Sequence, residues 1–178
     1  MKKRIDPFDY GGQILSAVKQ GVLVTTKAGE QVNTMSISWG TMGIQWGLPI
    51  FTVFVRGCRH TSTMLDQNPE FTVNIPLDSV DKEIIRYCGT MSGRDVNKIK
   101  ELGLTPEMPE IISVPGIREL PLTLECKVIY KQQQYPQCMT DHEPHTHYPE
   151  NSQDIHADYH TAYYGQILSA YIIGEQKA

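Results

Sequence analysis

Hydrophobic and polar positions alternate with a period of two over much of the chain, most regularly from Asn33 to Trp39. Met35, Ile37 and Trp39 fall on one side of that stretch, and Thr34, Ser36 and Ser38 on the other. Such a strand turns one face to a core and lines the other with hydroxyls. Upstream, Ile14–Thr26 passes from apolar into β-branched residues, which predicts a short helix or turn followed by a strand. Lys27-Ala28-Gly29-Glu30 predicts the hairpin turn into Val32–Trp39. Thr41–Leu48, with Gly40, Gly43 and Gly47 in or beside it, reads as a loop. Ile50–Val55 (IFTVFV) is a buried strand and Glu70–Ile75 (EFTVNI) a third of the same set, closed by Pro76. Between them Thr61–Asn68 predicts a short helix capped by Thr61 or Ser62, with Met64 and Leu65 inward.

Further on the period changes. Val80, Ile84, Ile85 and Tyr87 predict a helix over Ser79–Cys88, stopped by Gly89. A second helix is predicted to start at Ser92–Asp95 and run to Leu102, with Gly103 as its stop. Thr105–Gly116 carries three prolines and reads as a loop, Leu120–Lys131 as a long strand and Ala162–Ile173 as the closing strand. Met1–Gly12 is a lead-in with little regular structure, and 132–159 is a polar excursion without periodicity. The hexapeptide GQILSA occurs twice, at 12–17 and 165–170, in unrelated flanks, and is read as chance. The pattern predicts a mainly β fold with short helices, an antiparallel barrel closed or nearly so, as one domain over 1–178.

Composition narrows this picture. With 178 residues and 40% hydrophobic content the chain can bury one substantial core. The formal charge of −4, from 16 basic and 20 acidic residues, and the absence of a basic block beyond Lys2–Arg4 argue against a nucleic-acid partner. No apolar run approaches the ~20 residues of a membrane helix. Asp6, Asp9 and Gly11-Gly12 interrupt any signal-peptide core, so the expected location is cytoplasmic. Cys58, Cys88, Cys126 and Cys138 form no C-x-x-C pair and read as small buried or half-buried thiols.

Candidate chemistry gathers after the second strand. Arg56 and Arg59 are followed by Thr61, Ser62 and Thr63, and a guanidinium fork beside hydroxyls matches phosphate oxygens. The bland alternative is a helix cap beside a solvated arginine. Trp39 and Trp46 read as core or interface aromatics. His142, His145, His147, His156 and His160 are dense enough to raise a metal reading. They lie in a Pro-rich loop without fixed supporting partners, so no metal site is assigned. There is no G-x-G-x-x-G after a strand, hence no dinucleotide fold.

Three pieces in order, NTMSISWGTMGIQWGLPIFTVFVRGCRHTSTMLDQNPEFTVNIP, YCGTMSGRDVNKIKELGLT and HTAYYGQILSAY, resemble the flavin reductase-like, flavoredoxin-type FMN-binding proteins. The resemblance spans about 12–171, leaving 132–159 unmatched. It implies an FMN-binding split β-barrel, a homodimer with flavin sites near the subunit interface, and either NAD(P)H-dependent flavin reduction or electron carriage between protein partners. It implies FMN rather than FAD, with NAD(P)H as a transient donor. By the same resemblance Asn33, Met35, Ser36, Ile37, Ser38 and Trp39 would lie along the isoalloxazine ring. Arg59, Thr61, Ser62 and Thr63, with Arg56 nearby, would hold the phosphate, and His60 stands where the family often has an acidic residue. Ser92, Gly93, Arg94 and Lys98 match an SGR-x-x-x-K helix start close to the flavin, and His160 matches a histidine bordering the reactive face.

Overall fold

The computed structural model of the protein describes residues 1–78, 81–140, 147–148 and 159–174. In chain order the elements are β1 (Lys2–Arg4), α1 (Gly11–Gln20), β2 (Val22–Ala28), β3 (Gln31–Ile37), β4 (Gly40–Gln45), β5 (Leu48–Arg56), α2 (His60–Gln67) and β6 (Glu70–Ile75). They continue with α3 (Lys82–Thr90), α4 (Lys98–Glu101), β7 (Pro106–Glu107), β8 (Gly116–Ile117), β9 (Leu122–Gln133) and β10 (His160–Ile173). The large strands form one antiparallel sheet in the order β3-β2-β6-β9-β10-β5-β4, with β1 also paired to β10. Its two end strands, β3 and β4, are joined through Ser38 and Trp39 alone. The sheet therefore curls until its ends are two residues apart, yet no ladder joins them among the described residues. The barrel is split there, where the sequence pattern predicts closure or near-closure.

Both faces of the sheet are covered, which explains why VLVTT is apolar on consecutive residues. Val22 and Val24 of β2 point into the barrel with Phe51, Val53 and Val55 of β5, Phe71 and Val73 of β6, and Leu124 of β9. α1 closes the interior with Ile14, Ala17 and Val18. Leu23, between the two valines, packs outside against Cys88, Leu104, Ile117 and Leu120, with α3 and α4 supplying Ile84 and Ile99. On the outward face Asn74 donates to Thr25 and Thr72 and accepts from the Ile117 amide. No helix among the described residues is long and apolar enough to cross a membrane.

Several boundaries differ from the expectation. Thr41–Leu48 is the β4–β5 hairpin, turned by Trp46 (φ 54°) and Gly47 (φ 71°). Two consecutive residues in the left-handed region give the twist such a hairpin needs. The lead-in contains β1, paired to β10. No side chain caps α2, which begins at His60 with Arg59 before it, so neither Thr61 nor Ser62 has the capping role. α3 runs through Gly89 to Thr90, and Asp81 caps it by accepting from the Glu83 amide. Only Lys98–Glu101 of the second predicted helix is helical, capped by Asn97; Ser92, Gly93 and Arg94 lie in turns before it.

Candidate functional site

The seam of the split barrel is where the predicted residues converge. The run from Met35 to Trp39, with Arg56, Arg59 and His160, borders a hollow of about 180 Å³ completed by Phe54 and His147. Register explains part of this. β10 pairs with β5 so that His160 faces Arg56, and β3 ends beside them because its chain must cross to β4 at Ser38-Trp39. The Trp39 ring sits 4.8 Å from that of His160 and 4.9 Å, edge-on, from that of His147.

His147 and Tyr148 lie across this hollow, and sequence reasoning assigned neither of them a place. Arg56 donates to the His147 carbonyl at 2.9 Å and lies over the Tyr148 ring. The Tyr148 hydroxyl donates to Gln134 Oε1 at 2.9 Å and also bonds His160 Nδ1. A phenol has one proton, so with Gln134 accepting it the His160 Nδ1 carries the other hydrogen and donates to the tyrosine oxygen. The dense histidines were a visible signal, but nothing local to Tyr148 announced its partners. His142, His145 and His156 lie outside the described residues.

Beyond Arg59 the site becomes cationic. Arg59 donates to the Gly89 carbonyl at 3.3 Å. Arg94 donates to the Cys58 carbonyl at 2.8 Å and to Thr63 Oγ1 at 3.3 Å. Lys98 is buried and donates to the carbonyls of Thr34 (2.9 Å) and Cys88 (3.1 Å). Among the described residues all three cations thus meet only neutral oxygens, and none makes an ion pair. Burial, with the Arg59 guanidinium adding to it, holds Lys98 below the usual lysine range, while burial pushes the neighbouring Cys88 thiol up to about 11.

The remaining predicted residues fall around this cluster rather than in the hollow itself. Asn33 donates to Thr61 Oγ1 at 3.2 Å, both being buried. A Cβ on Gly93 would overlap Asn33 Oδ1, so the turn at Ser92–Arg94 presses directly on β3. Asn33, Gly93 and Arg94 border a second hollow of about 560 Å³. Ser92 Oγ accepts from the Arg94 amide, and Ser62 turns away to the Tyr163 hydroxyl at 3.1 Å. The three hydroxyls after Arg59 therefore diverge, because successive helical residues point about 100° apart.

The donor set suits a flat heterocycle with an anionic tail. Backbone and hydroxyl groups of β3 and the Ser38-Trp39 link line the hollow, and uncompensated cations lie past Arg59. A hollow of about 180 Å³ takes part of a ring system, so the tail must extend beyond it.

Comparison with known proteins bears on the same regions. A curated relative, an uncharacterized protein of Archaeoglobus fulgidus, is 29% identical over 100 residues, covering 56% of this chain and 55% of the relative. The chain thus spans about half the length of that relative. Among solved structures, flavoredoxin of Desulfovibrio vulgaris (Miyazaki F) superposes with a TM-score of 0.63 at 23% identity, covering 86% of this chain and 69% of that one. Flavoredoxin from Methanosarcina acetivorans gives 0.63 at 22%, covering 86% and 68%. Flavin reductase HpaC, in complex with NADP+, gives 0.60 at 12%, covering 88% and 80%. These likenesses establish a shared fold. The flavin reductase like domain matches residues 15–178, a span that holds the split barrel and every side chain of the seam and the cation cluster, and the chain belongs to that family.

Proposed function

We propose that the chain is an FMN-binding flavoprotein acting as an NAD(P)H-dependent flavin reductase. The observation that carries this is the gathering of Arg59, Arg94 and Lys98, with no carboxylate paired to them among the described residues, beside a hollow lined by 35–39 that shares Arg59. Bound FMN would supply the redox chemistry, and the protein orientation and electrostatics. Ser36, Ser38 and the backbone of β3 would meet the polar edge of the ring. Arg59 and Arg94 would hold the phosphate, with Lys98, two of its three N–H donors given to carbonyls, contributing charge. The compact cation cluster favours FMN over FAD. His160, fixed by Tyr148, would shape the pocket over the ring.

A second reading is an electron carrier of the flavoredoxin kind, without its own NAD(P)H activity. His147 in the lining of the hollow favours it, since it leaves little space for a nicotinamide. Assembly as a homodimer belongs to both readings: Ile44 (65% exposed) and Trp46 (60%) stand on an open face where Trp46 leans on Tyr130 and Tyr130 on Tyr164. The test is the visible spectrum of the purified protein loaded with FMN and mixed anaerobically with NADPH or NADH. Rapid bleaching supports the reductase, an unchanged flavin band supports the carrier, and failure to take up FMN contradicts both.

A further inference from the structure

His60 stands inside the cation cluster with no role in the phosphate reading. It opens α2, and its ring packs against the Gly93 turn, where a Cβ would lie 3.1 Å from His60 Cδ2. Both ring nitrogens are sealed from solvent and have no hydrogen-bond partner among the described residues. Buried polar atoms are nearly always paired, so an orphaned imidazole against the Gly93 turn calls for an explanation.

The groups facing it supply one. The turn before α4 presents Arg94, α4 presents Lys98, and the neutral amide of Asn33 on β3 meets the same Gly93 turn that the ring packs against. Among the described residues no carboxylate acts on the ring. Burial first, then Arg94 and Lys98, hold His60 below the ordinary histidine range, so it is neutral at pH 7.

An anion at Arg59 and Arg94 reverses the sign of the field at this ring. We propose that anion binding at the cluster is proton-linked: His60 takes up a proton as the flavin phosphate binds, and the phosphate is held more tightly as pH falls. A charge that is unfavourable beside Arg94 and Lys98 becomes favourable once a dianion neutralises that field. The inference rests on the phosphate reading above and adds its pH dependence.

The test is an imidazole NMR titration of the full chain, ligand-free and then with FMN, inorganic phosphate or riboflavin. The His60 titration is expected to move up by about one unit or more with FMN and with inorganic phosphate, and to stay put with riboflavin. In parallel, the FMN-to-riboflavin affinity ratio between about pH 8 and about pH 6 is expected to rise roughly threefold or more relative to His60→Gln. The second ionisation of the phosphate, near about pH 6, weakens FMN equally in both proteins and drops out of that comparison. If His60→Gln does not fold, the wild-type titration decides alone. A His60 titration unmoved by FMN, while Arg59→Ala still weakens FMN selectively, overturns the coupling and leaves the phosphate site standing. Equal losses of FMN and riboflavin in Arg59→Ala overturn the site itself, and the coupling with it.

Discussion

Gly93 carries no side chain for a reason visible in its neighbours. A Cβ there would overlap the Asn33 amide and crowd His60, so the turn can press on β3 only without one. Gly93→Ala is expected to cost about 1–3 kcal/mol, read as a lower urea midpoint, because Asn33 and its bond to Thr61 must move. The Cys88 thiol gives a second residue-scale expectation. Its pKa in the fold, about 11, lies above the usual value near ~8.5, so the fold favours the neutral form. The contribution is complete below the unfolded pKa and is lost as pH rises from about 9 through about 11. Iodoacetamide near about pH 8.5 should label the exposed Cys58 and Cys138 and spare Cys88 and Cys126; Cys88 reacting as fast as Cys58 would contradict this. At this scale residue chemistry pointed to Arg59 as an anion ligand. It could not show that Ser62 turns to Tyr163 or that Lys98 spends its donors on two carbonyls, because partners come from tertiary packing.

The repeated hexapeptide shows how context decides an element. Residues 12–17 lie in α1, where Ile14 and Ala17 share the buried face, whereas residues 165–170 lie in β10, where Gly165, Ile167 and Ala170 are buried. A bulge between Ile167 and Ser169 allows that spacing in a strand. Gly21 at φ 117° stops the first copy, while aromatic and β-branched flanks and two neighbouring strands claim the second. The same substitution should then have opposite effects. Gly12→Ala meets no atom within 4 Å and should gain up to about 1 kcal/mol from helix propensity. Gly165→Ala meets the Phe71 ring and should lose about 1–3 kcal/mol, and urea midpoints shifting in the same direction would contradict the account. Elements with a clean period, β2, β3, β6 and β9, were legible in the sequence. The β4–β5 hairpin was not, because its glycines masked a strand whose Met42 and Ile44 are set by pairing to β5. The Ser92 helix start was not either, since a turn at 93–95 holds Gly93 against Asn33 before α4 begins.

At the scale of the whole molecule, function is read from a single interruption. A closed barrel would bond β3 to β4; here the chain crosses between them at Ser38-Trp39, and the hollow opens at that crossing. Strand patterning predicts a barrel closed or nearly so, and the split came from the family resemblance, because patterning records how many apolar strands need partners and says nothing about which ladder is left open. The exposed face around Trp46 is expected to carry the homodimer, so Trp46→Glu should shift sedimentation velocity from dimer to monomer, and an unchanged profile would remove this face from the interface. The most direct measurement of the central claim is a calorimetric titration of FMN and of riboflavin into the wild type and Arg59→Ala. Loss of a charge-assisted contact to phosphate, about 1.5–3 kcal/mol, predicts FMN weakened about tenfold or more with riboflavin nearly unchanged. Equal weakening of the two, or no binding of FMN to the wild type, would contradict the account.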